Sequence, residues 1–284
     1  MTDRILALID SSPYAESVCR HAAWIARRLG TGIDLVHVIP KDAAGGSDDY
    51  TGTLRLGART ALLQKLAAID AERAKLAKDR GQALLEDARA VLDQDGIADV
   101  REKLRQGELV EAVAELEREA RAVVIGKRGE GRSEQFAHLG ANLERILRSV
   151  TVPVLVASRS FQPISSALIA FDGSESADHA VDRMAQGPVF RGLDLTLTHV
   201  GTDNAEIRGK LEAAQAKLAA AGLETRVEIL AGDPAATLGQ RVAEANTSLL
   251  VMGAYGHSRI RSLIIGSTPT AMIRACRIPV LVFR

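Results

Sequence analysis

Residues 5–12 read Ile5-Leu6-Ala7-Leu8-Ile9-Asp10-Ser11-Ser12, and residues 168–174 read Leu168-Ile169-Ala170-Phe171-Asp172-Gly173-Ser174. Each is an apolar run that ends on an aspartate followed by small turn residues. A short, continuous apolar run bounded by a turn reads as a strand buried on both faces. Asp10 and Asp172 lie 162 positions apart, and the same spacing relates Leu35-Val36-His37-Val38 to Leu197-Thr198-His199-Val200. Further along the spacing shortens. Val123-Val124-Ile125-Gly126 matches Leu250-Val251-Met252-Gly253 127 positions later, and Val152-Pro153-Val154-Leu155-Val156 matches Ile278-Pro279-Val280-Leu281-Val282 126 positions later. The chain is one plan written twice, with about 35 extra residues in the first copy.

Gly96 and Gly222, 126 positions apart, each close a helical stretch, so the insertion falls before Gly96, at about residues 41–80. Residues 41–53 are rich in Gly, Asp and Ala and read as a loop. Residues 54–92 are rich in Ala, Leu, Lys, Arg and Glu and read as one long helix or two, with Gly81 as the break. Elsewhere apolar runs alternate with helical patterns. Val18, Ala22, Ile25 and Leu29 share one helix face, as do Ala177, Ala180, Val181 and Met184. Alternating strands and helices predict an α/β fold, and right-handed crossovers make it doubly wound. We therefore expect two tandem parallel five-stranded sheets, one in residues 1–160 and one in residues 161–284, joined by residues 158–165 with Pro163 among them.

Composition removes several function classes. Thirty-six basic residues balance thirty-six acidic ones in 284, so a general electrostatic grip on nucleic acid or anionic membrane is not expected. Aromatic residues make up 3%, too few for a base-stacking surface. The two cysteines, Cys19 and Cys276, sit in apolar helical patterns and read as buried thiols rather than metal ligands. No apolar run reaches the roughly 18 residues of a membrane span, and the N-terminal residues do not resemble a signal peptide. A cytoplasmic protein is the expectation.

The segment with chemical content is Gly253-Ala254-Tyr255-Gly256, then nine residues, then Gly266-Ser267-Thr268. It runs from the end of an apolar strand to the start of an apolar helix. Glycines let backbone N–H groups approach phosphate, and the helix N-terminus adds about half a positive charge. Ser267, Thr268 and Thr270 supply hydroxyl donors. Asp172 lies just past the carboxyl end of its strand, where open α/β sheets bind ligands. It faces a ribose hydroxyl or adenine edge, or it caps the following helix; the two roles are compatible.

These residues resemble the universal stress protein family, as two such domains in tandem. The family pattern Gly-x2-Gly-x9-Gly-(Ser/Thr) is matched by Gly253, Gly256, Gly266 and Ser267. The resemblance implies an adenine-nucleotide-binding fold with strand order 3-2-1-4-5. It places the early aspartate on Asp172 and the adenine-contacting valine on Val200, and it implies ATP, with or without magnesium, as ligand. It also implies association through the last strand, residues 279–283, either between the two copies as a pseudo-dimer or between chains as a homodimer.

The first copy departs from the pattern. Gly126 and Gly129 are kept, but ten residues precede Gly140, and Ala141 and Asn142 stand where the family places hydroxyls. A lost charge-assisted donor costs about 1 kcal/mol or more. Asp10 and Val38 still match. This copy is expected to hold nucleotide less well. Lys127, Arg128 and Arg132 make its loop basic, and Glu130 and Glu134 read as their partners on a solvated surface.

No phosphate-loop Gly-x4-Gly-Lys-(Ser/Thr) motif occurs, and the Gly253–Gly266 segment has no carboxylate to orient water or metal. The sequence reads as a nucleotide-binding regulatory module acting on an unknown protein partner, with at most weak hydrolysis. Two alternatives stand beside it. One is a slow ATPase on the same fold. The other is an interaction or apolar-ligand protein that uses the inserted helices.

Overall fold

The computed structural model describes residues 4–40, 56–127, 141–254 and 267–284; for 56–63, 141 and 267–269 it describes the backbone alone. The first half runs β1 (Arg4–Leu8), α1 (Ala15–Leu29), β2 (Ile33–Ile39), α2 (Leu56–Gln94), β3 (Val100–Gln106), α3 (Leu109–Leu116), β4 (Ala120–Gly126), α4 (Ala141–Ser149) and β5 (Val154–Ala157). The second runs β6 (Ser166–Ala170), α5 (Glu175–Ala185), β7 (Asp194–Val200), α6 (Ala205–Ala220), β8 (Thr225–Leu230), α7 (Pro234–Glu244), β9 (Leu249–Gly253), α8 (Ser267–Ala275) and β10 (Val280–Phe283). The segment expected to join the two copies, residues 158–165, lies between β5 and β6.

Among the described residues ten strands share one sheet, ordered β3-β2-β1-β4-β5-β10-β9-β6-β7-β8. Each half keeps the order 3-2-1-4-5 with parallel neighbours. The halves join where β10 runs antiparallel to β5, Val280 opposite Val156 and Val282 opposite Val154. The alternation of side chains along each strand then builds two cores. Ile5, Ala7, Val124, Leu155, Ile169, Val251 and Leu281 face α1, α2, α5 and α6. Leu6, Leu8, Val123, Val156, Leu168, Leu250 and Val282 face α3, α4, α7 and α8. Both cores run through the β5–β10 seam without interruption.

Helix ends follow the repeat. Gly96 and Gly222 adopt left-handed conformations, φ 75° and 76°, and the residue after each donates back to Leu92 and Leu218, respectively. The predicted break at Gly81 is absent: α2 is a single helix of 39 residues. Gly81 instead allows a close crossing over the sheet. A Cβ there would lie 2.8 Å from Leu104 Cδ1 and 3.0 Å from His37 Cδ2. From this point on, Leu85, Ala88 and Leu92 pack into the core. Before it the helix projects from the body, leaving Ile69 46% and Leu76 62% exposed. The predicted loop at 41–53 lies outside the described residues.

The amino ends of the strands are secured differently in the two halves. Arg4 and Asp34 are both 1% exposed, with Arg4 Nε 2.5 Å from Asp34 Oδ1. Arg4 also reaches Asp99 at 2.6 Å, and Lys103 Nζ reaches Asp34 Oδ2 at 2.6 Å. In the second half Ser248 Oγ accepts from the Ser165 and Ser166 amides at 3.0 and 2.8 Å and donates to the Ser166 carbonyl.

Candidate functional site

In each half the first strand lies between the second and the fourth, and the chain leaves it and the fourth towards opposite faces. This strand reversal opens a crevice at the carboxyl ends. In the first half it is a cavity of about 500 Å³. Four of the predicted first-copy residues line it: Asp10, Val38, Gly126 and Asn142. The floor is apolar, from Leu8, Ile9, Ile39 and Ile125. Gly129 and Gly140 lie outside the described residues, as do Arg128 and Arg132.

In the second half Asp172 follows β6, Val200 ends β7 and Gly253 ends β9, so the three stand at the carboxyl ends of adjacent strands. Ser267 and Thr268 open α8, and Thr270 is its fourth residue, half-buried. Gly256 and Gly266 lie outside the described residues.

Both aspartates are held the same way. Asp10 Oδ1 accepts from the Ser12 amide at 3.0 Å, and Asp172 Oδ1 from the Ser174 amide at 3.0 Å. This turn fixes the carboxylate at the strand end. It also settles the capping question: Ser174, not Asp172, caps α5, accepting from the Ala177 amide at 3.3 Å. A histidine from the neighbouring strand holds the residue before each aspartate. His37 Nδ1 lies 2.8 Å from the Ile9 carbonyl and His199 Nδ1 2.9 Å from the Phe171 carbonyl. A carbonyl only accepts, so Nδ1 carries the proton in both rings. Sequence reasoning missed this pair, although both histidines stand in the repeated stretch that revealed the duplication.

At Gly253 the structure shows a packing requirement. A Cβ would sit 2.7 Å from Ser176 Oγ and 2.8 and 2.9 Å from the Ser176 backbone C and O. The missing side chain lets the first turn of α5 close against β9, drawing Ser174 and Ser176 beside Asp172; their hydroxyls are 3.1 Å apart.

The inserted helix supplies residues the sequence did not flag. Ala77, Arg80 and Leu84 of α2 line the first cavity, and Arg80 Nη2 donates to Ser11 Oγ at 2.9 Å. In the second half Lys210 Nζ donates to the Gly173 carbonyl at 3.2 Å, and Ile207 lies against Gly173. Lys127, expected on a solvated loop, donates to the Cys276 carbonyl at 2.7 Å. Both thiols are buried and unbridged, with burial pushing Cys19 up to about 12 and Cys276 up to about 11, so neither is a reactive thiolate. Among the described residues no three His, Cys, Asp or Glu gather as a metal site, and no helix is long and apolar enough to cross a membrane.

Known proteins share this architecture. The family model described as the universal stress protein family matches residues 1–158 and 201–284. The universal stress protein Slr1230 of Synechocystis sp. is 35% identical over 284 residues, covering 99% of both chains. A universal stress protein of Mycolicibacterium smegmatis is 24% identical over 99% of this chain and 96% of its own. The crystal structure of a universal stress protein from Archaeoglobus fulgidus superposes with a TM-score of 0.73 at 20% identity, covering 100% of this chain and 99% of that one. A duplicated 3-2-1-4-5 sheet, a paired aspartate turn at each strand reversal and identity across the whole length place this chain in the universal stress protein family.

Proposed function

We propose that the chain is a cytoplasmic ATP-binding regulatory protein of the stress response. It is built of two universal-stress domains, residues 1–160 and 161–284, and the second holds the nucleotide. The observation that carries this reading is the clustering of Asp172, Val200 and Gly253 at one strand reversal, with α8 starting at Ser267. Asp172 faces the ribose or adenine edge. Gly253, Gly256, Gly266 and the hydroxyls of Ser267, Thr268 and Thr270 hold the phosphates, with or without magnesium. Bound ATP changes the surface shown to a protein partner. The two domains serve each other as an intramolecular pseudo-dimer through β5 and β10. The chain binds rather than turns over, with at most slow hydrolysis.

A second reading applies to the first domain. Ala77 and Leu84 from the inserted helix add apolar wall to its cavity, which suits a ligand with more apolar surface than a triphosphate. Native mass spectrometry of the purified chain separates the two. An adenine-nucleotide adduct supports the main reading, and a retained apolar molecule that leaves with an Ala77→Trp substitution supports the second. A chain that takes up no nucleotide from saturating ATP contradicts the first.

A further inference from the structure

The last helices of the two halves are each held by a cation from the opposite half. Cys276 closes α8, its amide donating to the Met272 carbonyl at 2.8 Å, and its own carbonyl accepts from Lys127 Nζ at 2.7 Å. Val150 closes α4 in the same way, its amide donating to Ile146 at 3.1 Å, and its carbonyl accepts from Arg284 Nη1 at 3.1 Å. Arg284 also donates to the Arg148 carbonyl. A positive charge at a helix C-terminus offsets the negative end of its dipole.

The two contacts occupy equivalent places but come from different parts of the fold. Arg284 directly follows β10. Lys127 follows Gly126, which lines the first-half cavity, and it grips the helix whose N-terminus belongs to the second-half site. Lys127 thus links the first candidate site to the helix of the second.

We propose that Lys127 is a positioning residue for the nucleotide site of the second half: it anchors the far end of α8 and so fixes where the helix presents its first turn. The proposal rests on the nucleotide reading above. Its consequence is that occupancy of the first half, by moving the segment that carries Lys127, changes affinity in the second.

The test uses the full chain with Cys19→Ala, which leaves Cys276 as the single thiol. Four forms are compared: Lys127, Lys127→Met, Lys127→Arg and Arg284→Met. The first measurement is the rate of Cys276 labelling by a thiol-reactive disulfide, without nucleotide. Removing the Lys127 charge raises the thiol pKa and slows its chemistry, so a faster rate reports exposure of the helix end. Lys127→Met is expected to label about tenfold faster. The second measurement is calorimetric titration with ATP and magnesium, where Lys127→Met is expected to bind about five- to tenfold more weakly. Lys127→Arg restores both values, and Arg284→Met leaves ATP affinity within about twofold, because it holds α4. Unchanged labelling in Lys127→Met overturns the anchoring. Faster labelling with unchanged ATP affinity overturns the positioning role. No ATP uptake by the Lys127 form overturns the nucleotide reading and the positioning role with it, while the labelling rates still decide whether Lys127 holds α8. If Lys127→Met does not fold, Lys127→Gln takes its place with the same directions of change.

Discussion

The two halves share a sheet and differ in what surrounds its crevice. In the first, the helix after the second strand is 39 residues long and extends past the body; in the second, the equivalent helix has 16. Both end at a left-handed glycine, so the extra length is all at the N-terminal side. Ala77 of that extension lines the cavity together with Arg80 and Leu84, which lie in the stretch the two helices share. In the second half the matching surface is Lys210 and Ile207 against Gly173. The comparison teaches that duplication preserved the aspartate turn and its supporting histidine, which set the crevice. The lining was left to vary through one helix and one glycine-bearing loop.

The largest test of that asymmetry concerns how each half is fastened at the other end of the sheet. Asp34, 1% exposed, pairs with the equally buried Arg4 and with Lys103, and Thr196 occupies its place in the second half. Asp34→Ala strands buried charge and is expected to cost about 4 kcal/mol, whereas Thr196→Ala costs under about 1. Denaturant midpoints for the two variants decide it; equal losses would mean the halves are fastened alike.

Glycines give the next contrast. At Gly253 an added Cβ meets the Ser176 backbone, which cannot move without shifting α5. Gly253→Ala is expected to cost about 3 kcal/mol. At Gly81 the added Cβ meets side-chain atoms of Leu104 and His37, which can give, so Gly81→Ala costs about 1 kcal/mol after the gain in helix propensity. Thermal unfolding of both variants checks the order.

Acid should separate the halves as well. His21 is fully buried in α1, its Nδ1 2.7 Å from the Ser17 carbonyl and its Nε2 without a hydrogen-bond partner among the described residues, and burial lowers its pKa to about 4. Its counterpart 162 positions on is the exposed Arg183. The unfolded chain protonates His21 near pH 6.5 while the folded chain keeps it neutral. Stability attributable to this group is therefore intact above pH 6.5 and falls as pH drops towards 4, by about 2 kcal/mol at pH 5. A His21→Leu variant should lose that share of the slope between pH 7 and pH 5. Parallel slopes for both proteins would remove His21 as the cause.

Much of the fold was readable because burial leaves a periodic trace. The apolar runs at 5–9, 33–38 and 123–125 became β1, β2 and β4, and the paired glycines at 96 and 222 marked equivalent helix ends. What failed to show was non-local. Gly81 looks the same in sequence whether it breaks a helix or lets one pass close to a strand, and only the nearness of His37 and Leu104 distinguishes the two. Lys127 sits in a basic run that reads as a solvated loop, but its partner is 149 residues away. The site was half legible. Asp10, Asp172, Val38 and Val200 announced themselves by repetition, and His37 and His199 repeated just as faithfully without a chemistry to claim them. Arg80 and Leu84 have no counterpart of their kind in the second copy, so repetition could not find them.

The central claim is that the second half, not the first, holds the nucleotide. Titration of the full chain with ATP and magnesium tests it most directly, alongside a Gly256→Val, Gly266→Val double variant and an Asp10→Ala variant. The account predicts one site per chain, lost in the double variant and kept in Asp10→Ala. Two equal sites, or one that survives the double variant and disappears with Asp10→Ala, would contradict it.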